Sequence, residues 1–141
     1  MTEQNRLDEL RAGLERTRAE IQRCAEEAGR EAPQLLPVTK FHPAEDIALL
    51  AQLGITDVAE NREQEARAKA EALPDMRFHM IGQIQTKKAN HVARWAHSVH
   101  SLDSEKLARA LDRGVALAQE REQREGCLLY TSDAADEGLG V

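Results

Sequence analysis

The chain has 141 residues, 19 Lys and Arg against 25 Asp and Glu for a net charge of -6, and 41% hydrophobic with 31% charged side chains, the balance of an ordinary soluble single domain. Its basic residues are interspersed with acids, which argues against nucleic acid as a partner. No apolar run approaches the roughly 20 residues of a membrane-crossing helix, and the opening MTEQNRLDEL is polar where a signal peptide is apolar, so no membrane partner and a cytoplasmic location are expected.

Residues 3 to 29 place Leu7, Leu10, Leu14, Ile21 and Ala25 on one stripe, predicting a long helix closed by Gly29 and Pro33. Cys24 and Cys127 lack metal-ligand spacing and read as free thiols, and no metal site is expected. Short β-prone runs then begin at Leu35 (LLPV), Ile55 (ITDV), Arg77 (RFHMI) and His97 (HSVHSL), with starts 20, 22 and 20 residues apart. Helical segments are predicted between and after them. The first opens with Pro43 at the first helical position and closes at Gly54. The second runs from Asn61, a good cap, to Leu73 before Pro74. The third covers Thr86 to Trp95, and the fourth runs from Asp103 or Ser104 to about Glu125. Four strand–helix units after a leading helix predict an α/β fold with a parallel sheet, because parallel neighbours need a crossover of about a dozen residues or more.

An open doubly wound sheet and a (β/α)8 barrel both satisfy that pattern, and in both the chemistry gathers at the carboxyl ends of the strands. Thr39 and Lys40 follow the first strand, Glu60 and Asn61 the second, Gly82, Gln83 and Gln85 the third, and Ser101 and Asp103 the fourth. Glycine-rich nucleotide loops are absent from the sequence. A lysine at a strand end can extend into solvent or pair with Glu60 on the next strand. It can also be a Schiff-base lysine, in which partial burial beside apolar walls favours the neutral, nucleophilic amine. Spacing leaves these open, and within the second it does not choose between a carbonyl substrate and pyridoxal phosphate.

The stretches VTKFHPAEDI, DVAENREQEARAKAEAL, RFHMIGQIQTKKANHVA and HSVHSLDSEKLARAL resemble, in order, the motifs of the pyridoxal phosphate homeostasis protein family, whose fold is similar to the N-terminal barrel of alanine racemase. The resemblance runs from about Leu7 to about Glu122. It implies a TIM-type (β/α)8 barrel of which residues 1–126 form the first half, and a non-enzymatic carrier that holds pyridoxal 5'-phosphate as an aldimine on Lys40 and delivers it to apo-forms of cofactor-dependent enzymes. It further implies that Asn61 lies beside the cofactor ring, that His79 lines the pocket, and that Gly82 lets backbone approach the ligand. Each of these three has an alternative: a helix cap for Asn61, a satisfied core histidine for His79, and a plain turn for Gly82. Lys87 and Lys88 read as a solvated face, and His97 and His100 stay unassigned. Phe41 and His42 depart from the Thr-Lys more common after the aldimine lysine, so no second lysine is available there.

The closing stretch CLLYTSDAADEGLGV, residues 127–141, begins like a strand and then follows neither helical nor strand periodicity. It resembles a translated transposon-end sequencing adapter and is expected to be a non-native tail on a chain cut at mid-barrel. Phosphate-holding loops and a partner for the pyridine nitrogen are expected from a second half, so the chain alone should bind cofactor weakly. Two further function classes remain, a racemase-type enzyme on the same barrel and a non-cofactor interaction module.

Overall fold

A computed structural model describes residues 2–132. Helix α1 (Glu3–Ala28) starts where the Thr2 hydroxyl accepts the Asn5 amide at 3.1 Å and stops at Gly29, whose φ of 67° is the left-handed cap that glycine adopts without penalty. Its buried Leu14 reaches the core beside α2 (Ala44–Gln52). Arg6 pins the two helices together, donating from Nη2 to Asp46 Oδ2 at 2.8 Å and from Nε to Oδ1 at 3.1 Å, the two-pronged geometry that guanidinium favours. Pro43 is not the first helical residue: its ψ of 163° is extended, and it caps α2 from outside.

Four parallel strands follow, β1 (Asp57–Glu60), β2 (Arg77–Met80), β3 (Ala96–Leu102) and β4 (Leu129–Ser132), and they lie in chain order across the sheet. Helix α3 (Glu63–Ala72) joins β1 to β2. A 3-10 turn (Thr86–Lys88) leading into α4 (Ala89–Trp95) joins β2 to β3, so the helix expected over 86–95 is divided. Helix α5 (Glu105–Glu120) is capped by the Ser104 hydroxyl, which accepts the Leu107 amide at 3.1 Å. It ends short of Glu125 because Glu122 takes a left-handed φ of 57° and turns the chain away.

The strand expected at 35–38 shrinks to one bridge, Val38 against Ala59. The Ala59 amide donates to the Pro37 carbonyl at 2.8 Å and the Thr39 amide to the Ala59 carbonyl at 3.0 Å. Pro33 and Pro37 have no N–H to offer, which confines pairing to this point. At the opposite edge, residues 129–132 of the stretch expected to be foreign pair with β3, and Leu128 is buried among α4, α5 and β3 residues. Residues 133–141 of that stretch lie outside the described residues.

The strand partners Val58, Phe78 and Ala96, and likewise Met80 and Val99, are buried in the two apolar clusters formed with the helices. Strand side chains alternate between faces, and the register Ala59–His79–Ser98 therefore marks the other face, where polar groups collect.

Candidate functional site at the carboxyl ends of the strands

Because pairing stops at the Val38 bridge, Thr39 takes the inward position and Lys40 the outward one. Thr39 is buried and its hydroxyl donates to the Glu60 carboxylate. Lys40 is exposed, not partly buried as expected of a reactive lysine, and among the described residues no acid pairs with it. Its Nζ lies 6.0 Å from the centre of the Phe41 ring. Phe41 has a φ of 67°, which a bulky L-residue rarely adopts, and the residue is 68% exposed, with the Arg62 guanidinium over its ring at 5.1 Å.

The Glu60 partner is another lysine. Glu60 ends β1 with 0% exposure, and Lys69, one face of α3 away, donates to its Oε2 at 2.9 Å. Lys69 Nζ also donates to Glu65 Oε1 at 2.9 Å and to the Thr39 carbonyl at 3.1 Å. Glu65 Oε1 in turn accepts the Phe41 amide at 2.9 Å. The Lys69 ammonium, followed by opposing burial and then the Phe41 amide, holds the Glu65 carboxyl below its ordinary range. Sequence reasoning missed Lys69. The available signal was Glu65–Lys69 at i,i+4 on a helix directly after a strand-end glutamate.

Asn61 does not cap α3, whose N-cap is Arg62 with no side-chain bond. Its Oδ1 is instead buried without a hydrogen-bond partner among the described residues, as is Glu60 Oε1, and such groups ask for a ligand or solvent to complete them. Asn61 lines a cleft of about 540 Å³ together with Glu65, Gln83 and Lys88. Gly82 packs against the same residue: a Cβ there would fall 2.0 Å from the Asn61 carbonyl oxygen, and the Ser101 hydroxyl donates to the Gly82 carbonyl at 2.5 Å. The backbone that this glycine lets approach is thus that of Asn61.

His79 stands apart from these three, in register with Ala59 and Ser98 and with its side chain turned to Asp57 at the start of β1. Its Nε2 meets Asp57 Oδ2 at 2.6 Å and its Nδ1 meets the Ser98 hydroxyl at 2.5 Å, which in turn lies 2.9 Å from His100 Nε2. His97 packs edge-on to His79 with ring centres 5.1 Å apart. Ligand atoms of Asp57, His79 and His97 all lie within 4.8 Å of one another, a grouping able to hold a cation. Asp57 already accepts from Arg77 at 2.7 and 3.0 Å and from Thr56 at 2.6 Å. Both oxygens of its carboxylate are therefore already engaged by protein donors. Arg77, opposed by burial and aided by Thr56 and His79, holds the Asp57 carboxyl far below the usual range.

No protein-family model matches the chain. A pyridoxal phosphate homeostasis protein of Corynebacterium glutamicum is 71% identical over 91 residues, 64% of this chain and 41% of that protein. One from Mycobacterium tuberculosis is 44% identical over 133 residues, 83% of this chain and 52% of that protein. This chain is a relative of the pyridoxal phosphate homeostasis proteins. Among solved structures it is similar to PipY of Synechococcus elongatus, determined with pyridoxal phosphate bound, at 36% identity and a TM-score of 0.58 over 70% of this chain and 49% of that one. The chain spans about half the length of the curated relatives it matches.

Against that background, the structure brings Asn61 and Gly82 into contact and joins Lys40 to them through Thr39 and Glu60, while His79 belongs to the separate network around Asp57.

Proposed function

We propose that this chain is half of a (β/α)8 barrel that holds pyridoxal phosphate on Lys40 for cofactor homeostasis and passes it to apo-enzymes without turning over a substrate. One feature favours a barrel over a doubly wound sheet: the strands run in chain order with no reversal. The names of the relatives, and the cofactor bound to PipY, support the ligand.

The observation that carries the reading is the contrast between two lysines a few residues apart in space. Lys69 is buried and engaged by three acceptors, so its nitrogen is enclosed by protein groups and not presented to a ligand. Lys40 is exposed at a strand's carboxyl end with no acid paired to it among the described residues, so an aldehyde can reach its nitrogen, which once deprotonated condenses with release of water. The unpartnered Asn61 Oδ1 beside the 540 Å³ cleft supplies an acceptor for a polar group of the ligand. His79, held on both ring nitrogens, would support the wall from beneath. Residues 1–126 are assigned to the barrel and 127–141 to a non-native tail, which sequencing the source DNA across Gly126 checks directly.

Incubating the chain with pyridoxal phosphate, reducing with borohydride and mapping peptides should place the label on Lys40, weakly retained before reduction. Lys40→Ala should remove the label from this segment. Labelling spread evenly over the exposed lysines, unchanged by Lys40→Ala, would refute the assignment.

A further inference from the structure

Resting on the reading of Lys40 as the anchoring amine, we infer that Lys69 and Glu65 are positioning residues that clamp the backbone on both sides of Lys40 and so fix the direction in which its side chain leaves the sheet. A residue's orientation is set by the two peptide planes that flank its Cα, since only φ and ψ are soft. The plane before Lys40 contains the Thr39 carbonyl, which accepts from Lys69 Nζ at 3.1 Å. The plane after it contains the Phe41 amide, which donates to Glu65 Oε1 at 2.9 Å. The two clamping groups are themselves joined, Lys69 Nζ to Glu65 Oε1 at 2.9 Å. Glu60 anchors the assembly from the sheet, accepting from Lys69 and from the Thr39 hydroxyl.

The strained conformation of Phe41 fits this account. A phenylalanine at φ 67° with its ring mostly in solvent gains little from packing, and such a conformation persists where surrounding bonds over-determine it. The amide that Glu65 accepts is the one that this left-handed turn presents. The buried Lys69 is therefore explained without chemistry of its own: it supplies a fixed donor to one peptide and holds the carboxylate that receives the next.

The test uses the 141-residue chain. Lys69→Met leaves the Glu60 carboxylate buried without its cation and can unfold the protein, so Glu65→Ala is the primary variant and Glu65→Gln, which keeps a carbonyl acceptor for Phe41, is the rescue. Hydrogen exchange at the Phe41 amide is expected to accelerate about tenfold or more in Glu65→Ala, with Val58 and Ala59 in β1 unchanged, and to return toward the parent in Glu65→Gln. The rate of borohydride-trapped capture of pyridoxal phosphate at Lys40 should fall by about tenfold in Glu65→Ala and recover in Glu65→Gln, because misorientation reduces the effective concentration of the amine. Parent-like exchange at Phe41 in Glu65→Ala, or acceleration shared equally by Ala59, overturns the clamp. If the parent is not captured at Lys40, the cofactor reading fails, and Phe41 exchange, which needs no cofactor, still decides whether the clamp exists.

Discussion

Phe41 carries an energetic cost that can be measured separately from any function. The left-handed region costs an L-residue about 1–2 kcal/mol, and asparagine tolerates it best among residues with side chains. Phe41→Asn keeps the amide that Glu65 accepts and gives up little burial. It should raise unfolding stability by about 0.5–1 kcal/mol in urea titration, and a decrease would mean that the contact between the Phe41 ring and Arg62 outweighs the strain. Lys40 was legible in the sequence because it follows an apolar run and precedes a helix. Its exposure was not, because alternation alone does not tell which of Thr39 and Lys40 faces inward when the strand is a single bridge long. Glu60 was visible as a possible partner for Lys40, but three-dimensional packing gives it to Lys69, whose position on α3 is known only once that helix docks.

At the level of elements, the order of helices and strands was readable because apolar spacing and the punctuation by Gly29, Gly54 and Pro74 agree with the packing that results. What could not be read was pairing. LLPV has strand composition, but Pro37 contributes only its carbonyl to the ladder, and Val38 alone bridges. Asn61 is a residue type suited to a cap, yet the cap position falls one residue later at Arg62, leaving the asparagine's oxygen buried and without a partner among the described residues. The junction between the ends of β1 and β2 is equally a matter of contact. A methyl group at Gly82 meets the carbonyl oxygen, carbon and Cα of Asn61 at 2.0, 2.7 and 2.8 Å, all of them backbone atoms with no rotamer to relieve the clash. Gly82→Ala should therefore destabilise the protein by about 3 kcal/mol, the upper range for overpacking, and shift the Asn61 amide resonance in NMR spectra. A change below about 0.5 kcal/mol, the size of an ordinary surface substitution, would show that the two strand ends can part freely.

For the whole molecule, titratable groups on the polar face of the sheet and at the α1–α2 contact make stability depend on pH in two separate windows. Burial, reinforced by the neighbouring His79, pushes His97 and His100 below the ordinary imidazole range. A lowered folded-state pKa means that the neutral ring is favoured by folding. Its contribution is complete above the unfolded value of about 6.5 and is lost as pH falls through the lower folded value. Asp57 and Asp46 are held low by Arg77 and Arg6. Their contribution is complete above about pH 3.9 and declines only in stronger acid. Denaturant midpoints should thus fall first below about pH 6.5 and again below about pH 4. His97→Gln should flatten the first step and leave the second, and a first step of unchanged size in both His97→Gln and His100→Asn would rule out these two imidazoles as its source. That histidines from one strand would face a neighbouring histidine and aspartate was beyond the sequence, since register across a parallel sheet is set by docking of the intervening helices.

The strict chain order of the sheet has a consequence for how the protein is made. Every strand–strand contact joins segments separated by one helical crossover, so no early strand has to wait for a distant late one to find its neighbour. Closing such short loops costs little entropy, and low sequence separation between contacts favours rapid folding. As the chain leaves the ribosome, each new strand can dock on the edge left by the one just completed. The Val38–Ala59 bridge, which orients Lys40, is then available among the earliest tertiary contacts.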